Sequence, residues 1–257
     1  MPKLSAITTD QSQESLPGFH YSAVSVDRLT DASEYTLVGI VVDKTGSVVP
    51  FKNDLEAMMG AAVESCQSSP RSINLLIRTT AFNSVFGGGS IEEILGFVPL
   101  NSVDTTKFAG TLKPDGGTNL YDATEEMVQA IYMYGKDLYA KKYLSNAIVF
   151  IITDGDDNSS SQSTPQSIAD AVKTIQQEEI LESIRTIVIG INDTDAHMKK
   201  RLEDFVKDSK LDEYVSMGQV TKQKLAKLAQ FVSRSTSSQS QSLGTGGASQ
   251  PLSNFTF

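Results

Sequence analysis

The chain of 257 residues carries 22 Lys and Arg against 31 Asp and Glu, a formal charge of -9, with one Cys, two His and no Trp. That acidic balance excludes a sequence-independent grip on nucleic acid or on an anionic membrane surface, and the single Cys excludes an internal disulfide framework. His20, Cys66 and His197 stand too far apart in sequence to read as a zinc site.

With 39% hydrophobic residues the chain can bury a sizeable core. No uninterrupted apolar run approaches the roughly 18 residues of a membrane span. The first ten residues lack the apolar stretch of a secretory signal, so the sequence reads as cytoplasmic.

Residues 1–18 are rich in Ser, Thr and Gln, and residues 235–257 are mostly Ser, Thr, Gln and Gly with no charged side chain. Both are expected to be flexible, because neither offers enough apolar surface to offset chain ordering. Leu252, Phe255 and Phe257 read as part of an untethered end. Between the two tails, residues 20–234 read as one domain of alternating strands and helices.

Ser22–Val26 is a short candidate strand, and Tyr35–Val42 a buried one. Phe51, Leu55, Met58, Met59, Ala62, Val63 and Cys66 follow at the spacing of an amphipathic helix, with Pro50 in its first turn. Cys66 closes that apolar stripe and reads as buried filler. Ile73–Phe82 predicts the next strand, and Gly87–Gly89 a hairpin or an edge strand.

Leu120–Lys142 predicts a long helix, with Tyr132, Tyr134 and Tyr139 partly buried, and Asn146–Thr153 a fully apolar strand. Ser163 or Thr164 before Pro165 predicts a capped helix through Ile168, Ala171, Val172 and Ile175. Ile184–Ile191 is strand again, followed by a helix carrying Met198, Leu202, Phe205 and Val206. Lys199, Lys200 and Arg201 on that helix, followed by Glu203 and Asp204, read as a solvated face. A short strand near Glu213–Met217 and a helix with Leu225, Leu228 and Val232 complete the block. The pattern predicts an α/β fold: a doubly wound, mostly parallel central sheet flanked by helices on both faces, Rossmann-like.

Ligands of open α/β sheets sit beyond the carboxyl ends of the strands, and oxygen-bearing residues gather at three such places here. The first apolar strand ends in Asp43-Lys44-Thr45-Gly46-Ser47, the long helix is preceded by Gly116-Gly117-Thr118-Asn119, and the second apolar strand ends in Thr153-Asp154-Gly155-Asp156-Asp157-Asn158. Hydroxyl and carboxylate oxygens without thiolate or imidazole suit a hard divalent cation. Asp156 and Asp157 read as a solvated acidic loop, and Ser159–Ser161 as a flexible one.

Asp43-x-Thr45-x-Ser47, Gly-Gly-Thr118 and Thr-Asp154-Gly, in that order and context, resemble the metal-ion-dependent adhesion site of the von Willebrand factor type A domain, over about residues 35–234. The resemblance implies that Thr45, Ser47 and Thr118 reach a cation, Mg²⁺ or else Mn²⁺ or Ca²⁺, directly. It implies that Asp43 and Asp154 act through water or hydrogen bonds, and that an Asp or Glu of a partner protein takes the remaining position. Family members inside cells often serve AAA+ ATPases or multi-protein assemblies as adaptors, so the resemblance implies a protein-binding module and no enzyme. The first hydroxyl of the family pattern is more often Ser; Thr45 adds a methyl.

Two rival readings remain. Asp-Lys-Thr-Gly-Ser also resembles the phosphorylated-Asp loop of the haloacid-dehalogenase group. In that reading Asp43 is a nucleophile and Asp154 and Asp157 hold Mg²⁺, but Asn158 stands where an acid is expected and Gly-Gly-Thr118 has no task. The other rival is an assembly protein that uses the fold without metal.

Overall fold

The computed structural model describes residues 11–16, 19–29, 32–85 and 88–245. The first strands are β1 (Gln11–Leu16), β2 (Phe19–Val24) and β3 (Glu34–Asp43). Then come α1 (Lys52–Gln67), β4 (Leu75–Val85), β5 (Gly88–Pro99), α2 (Leu120–Ala140) and β6 (Leu144–Thr153). The chain continues through α3 (Pro165–Glu178), β7 (Ile184–Ile191), α4 (Ala196–Asp208), β8 (Glu213–Gly218) and α5 (Lys222–Thr245).

All residues of β3 after Glu34, and of β6 after Leu144, are buried, as their near-continuous Val and Ile content requires. Successive residues of β3 enter different core clusters, as the period of two dictates. Val38, Ile40 and Val42 pack with Leu55 and Met59 of α1 and Leu225 and Leu228 of α5. Leu37 and Val41 pack with Met127 and Ile131 of α2, Ile168 of α3 and Leu202 of α4. Gly39 lets α2 come close: a Cβ there would stand 2.8 Å from Met127 Sδ.

The eight strands lie in the order β1-β2-β5-β4-β3-β6-β7-β8. β3 pairs in parallel with β4 and β6, and β6-β7 and β7-β8 are parallel too. β4 and β5 pair antiparallel, with Gly88 and Gly89 already in β5, while Gly87 of the expected turn lies outside the described residues. β5 is no edge, because β2 pairs alongside it. The chain moves outward in one direction from β3 to β4 and in the other from β3 to β6, so the strand order reverses between β3 and β6. That switch point is where a crevice opens beyond the strand ends.

Several expectations need correction. Pro50 falls in a 3-10 turn over Gly46–Phe51 that leads into α1, not in α1 itself. Tyr134 is fully buried and donates to the Val24 carbonyl at 2.9 Å, Tyr132 is half-buried, and Tyr139 is exposed. Residues 11–16, expected to be flexible, form β1 against β2, so the folded unit begins before residue 20.

Residues 235–245, also expected to be flexible, continue α5 with Ser235, Thr236, Gln239, Ser240 and Ser242 buried. The side chains of Gln239, Ser240 and Ser242 find partners within the fold rather than water, whereas Thr236 Oγ1 meets none. The Arg71 guanidinium donates to Ser240 Oγ at 3.1 Å and to its carbonyl at 2.9 Å. The Gln239 amide donates to the Ala147 carbonyl at 3.2 Å and to Ser183 Oγ at 3.0 Å, and Asn146 donates to the Gln239 carbonyl at 2.7 Å. The rest of the expected tails, residues 1–10, 17–18 and 246–257 with Leu252, Phe255 and Phe257, lies outside the described residues.

Opposite charges are buried as well. Arg78 of β4, with no exposed surface, makes a two-pronged contact with Glu126 of α2 at 2.8 and 2.6 Å. It also reaches Glu93 of β5 at 3.1 Å, and Glu93 accepts the Ser22 backbone N–H of β2 at 3.0 Å. Cys66, on α1, is sealed against Ser233 and Thr236 of α5, and burial pushes its thiol up to about 11.

Candidate metal centre

β3 ends at the switch point in Asp43, which is fully buried. Its Oδ1 accepts the Thr45 backbone N–H at 2.8 Å and its Oδ2 accepts the Thr153 hydroxyl at 2.7 Å. The chain then turns through exposed Gly46, whose N–H donates to the Gly116 carbonyl at 3.2 Å. Val48 and Phe51, both buried, anchor the 3-10 turn that follows. This holds the Thr45 and Ser47 hydroxyl oxygens 3.0 Å apart, and Ser47 donates to Asp154 Oδ1 at 2.8 Å. Asp43 and Thr45 form the buried floor, and Ser47 the exposed rim.

Thr118 arrives on a loop tied to both neighbouring strands. The Asp115 N–H donates to the Lys44 carbonyl at 3.0 Å, and Ser84 and Gly117 exchange two backbone hydrogen bonds of 2.8 Å. Gly116 takes φ +69°, and a Cβ there would lie 1.8 Å from the Ser84 carbonyl oxygen, so only glycine fits. Thr118 Oγ1 stands 3.5 Å from where a Cβ on Gly155 would lie, beside the residue that follows Asp154. The structure thus brings Asp43, Thr45, Ser47, Thr118 and Asp154 to one end of the sheet.

Burial, and then repulsion from Asp43, pushes the Asp154 carboxyl up to about 6. Burial also raises Asp43, outweighing the hydrogen bonds from Thr153 and Thr45 that pull it down. Two carboxylates crowded in this way gain from a cation between them. Among the described residues no group of three or more His, Cys, Asp or Glu is placed to hold a metal. The donors gathered here are hydroxyls and carboxylates, all oxygen. That chemistry fits Mg²⁺, Mn²⁺ or Ca²⁺ and does not fit zinc.

The loop after β6, expected to be solvated and flexible, is half-buried at Asp156 and Asp157 and tied to its surroundings by hydrogen bonds and an ion pair, with Asn158 and Ser161 exposed. Asp156 pairs with Arg201 of α4. Asp157 Oδ1 accepts the Tyr121 N–H at 3.2 Å, and Ser160 Oγ accepts those of Tyr121 and Asp122 at 3.1 Å each. Asp122, buried, accepts the N–H groups of Ser161, Gln162 and Ser163. Asp157 and Ser160 are thus spent on the first turn of α2, while Asp156 turns to α4.

Asn158 holds Thr118 in place, a contact that the sequence did not reveal. Its Oδ1 accepts the Thr118 N–H at 2.8 Å, and its own N–H donates to the Thr118 carbonyl at 2.9 Å. A Cβ on Gly117 would meet Asn158 Oδ1 at 2.7 Å, so the glycine is what admits this clamp. The Gly-Gly before Thr118 was the available signal, since it marks a close approach whose partner sequence alone does not name.

No family model matches the chain, and no curated protein matches it. Solved structures do. A single-residue mutant of the PilB minor pilin from Streptococcus sanguinis aligns with a TM-score of 0.57 at 15% identity, over 85% of this chain and 65% of that one. The pilus adhesin SpaC from Lactobacillus rhamnosus GG, in its open conformation, aligns at 0.53 and 11%, over 89% and 33%. A von Willebrand factor type A structure from Catenulispora acidiphila aligns at 0.47 and 16%, over 85% and 44%. The chain therefore spans less than two thirds of the length of each of these proteins. The likeness to the minor pilin and the adhesin establishes a shared α/β fold.

Proposed function

We propose that the protein is a divalent-cation-dependent protein-binding module, in which an Asp or Glu of the partner completes the cation's coordination. The observation that carries this reading is the hydrogen-bonded run from Thr45 Oγ1 through Ser47 Oγ to Asp154 Oδ1, with spacings of 3.0 and 2.8 Å, at the switch point of the sheet. We read the frame as doubly wound, with α1 and α5 covering one face and α2, α3 and α4 the other; the two separate core clusters support it.

Thr45, Ser47 and Thr118 would hold the ion through neutral oxygens. Asp43 orients Thr45 from below, because both its oxygens are already occupied by Thr45 and Thr153. Asp154 orients Ser47. When bound, the ion supplies a positive charge that three hydroxyls do not neutralise, which selects an anionic group from outside. A buried Asp43 suits this orienting role better than that of a nucleophile, which must present an oxygen to its substrate.

The test is a melting titration with Mg²⁺ and Mn²⁺ against the same protein in chelator. Linkage requires the midpoint to rise with cation for wild type and to stay flat for Ser47→Ala. A flat wild-type response sinks the reading. Turnover of an aryl phosphate with Mg²⁺, lost in Asp43→Asn, would replace it with the phosphatase.

A further inference from the structure

The first turn of α2 is capped from elsewhere in the chain. Asn is among the residues best suited to the N-cap, where its side chain accepts the N–H groups two and three positions on. Asn119 holds that position in α2 and makes no such bond. The N–H groups it would take, those of Tyr121 and Asp122, go instead to Ser160 Oγ and Asp157 Oδ1.

The Asn119 side chain is fully buried, and neither Oδ1 nor Nδ2 meets a hydrogen-bond partner. Both halves of the amide are thus desolvated without compensation, where a leucine of similar size would carry no such penalty. The backbone differs as well. Thr164 and Asp195, which cap α3 and α4 through their side chains, have ψ 161° and 131°, whereas Asn119 has ψ 58°.

We propose that Asn119 is a reserve cap for α2. When segment 154–160 leaves the helix, the backbone at Asn119 turns to the extended conformation of the other two caps. Its carboxamide oxygen then takes over the Tyr121 and Asp122 N–H groups. Beyond residue 160 the chain stays pinned, because the Asp122 carboxylate holds the N–H groups of Ser161, Gln162 and Ser163 at 3.0, 3.1 and 2.8 Å. The same departure breaks both bonds between Asn158 and Thr118 and carries Asp154 away from Ser47. The exchange opens the carboxyl end of β6 without fraying α2, and it needs no bound cation.

The experiment is amide hydrogen exchange at Tyr121 and Asp122, with chelator present, in a loop variant carrying Asp157→Ala and Ser160→Ala. With Asn119 in place, exchange at these amides should stay close to wild type while Thr118 loses protection. Adding Asn119→Ala should raise it about fivefold or more, the worth of one cap. Asn119→Ser, which can also cap, should restore protection in the same background. Strictly additive effects of the loop and Asn119 substitutions, or no rescue by serine, overturn the proposal. So does rapid exchange at Tyr121 and Asp122 in the loop variant that retains Asn119.

Discussion

Ser47 and Asp154, 107 residues apart in sequence, meet across 2.8 Å at the point where the strand order reverses. The hydroxyl is on an exposed rim and the carboxylate is half-buried, so their contact joins two strand ends without contributing to the core. Ser47→Ala should accordingly change the unfolding free energy by only about 0.5 kcal/mol. It should nonetheless remove the cation-dependent rise in melting temperature. Chemical denaturation and a cation titration on one preparation separate the two effects.

Gly116→Ala should be severe. The residue sits at φ +69° with the Ser84 carbonyl in the way, so the loop must give up its paired bonds between Ser84 and Gly117. A loss of about 2 kcal/mol or more follows from strain and broken hydrogen bonds together. Because Thr118 shifts with the loop, cation stabilisation should vanish as well, which equilibrium unfolding with and without Mg²⁺ would register.

The Asp154 carboxyl titrates near 6 when folded, against 3.8 when free, so the folded state holds its proton longer. Between those two pH values the unfolded chain ionises first, and folding loses stability as pH rises. In chelator, therefore, wild type should lose melting temperature relative to Asp154→Asn as the pH is raised from 4 to 7. The asparagine keeps the oxygen that accepts from Ser47. A parallel pair of curves would mean that the carboxyl is not raised.

Glu126→Ala should cost about 3–5 kcal/mol, since it strips a buried guanidinium of its two-pronged partner and leaves only Glu93. Removing both charges, as in Arg78→Met with Glu126→Leu, should recover part of that loss. The double-mutant cycle from urea titrations gives the coupling directly.

Ending the chain after Arg234 should lower stability by about 3 kcal/mol or more, because Asn146, Ala147 and Arg71 all lose partners on α5. A truncated chain that melts like the full one would show that the second half of α5 is dispensable.

The strands and the apolar helix faces were legible because burial there is written in Val, Ile and Leu at fixed periods. Ile184–Ile191 coincides with β7 to the residue. The second half of α5 was not legible, since serine, threonine and glutamine are the composition of a solvated tail unless specific partners such as Arg71 and Asn146 await them. Arg78 was equally opaque: an arginine within a strand pattern reads as outward-facing until Glu126, 48 positions away, is seen to meet it. At the candidate metal centre the five oxygen-bearing residues could be picked out by type and position. The clamp that places Thr118 could not be, because Asn158 works chiefly through one backbone N–H and one amide oxygen on another loop's backbone, which leaves no compositional trace.

The sole thiol of the chain has a practical corollary. Closed between α1 and α5 and raised to about 11, Cys66 is almost wholly un-ionised at neutral pH and out of reach of alkylating reagents. Its labelling rate is a built-in clock for how often those two helices part, and the clock runs without any engineered probe.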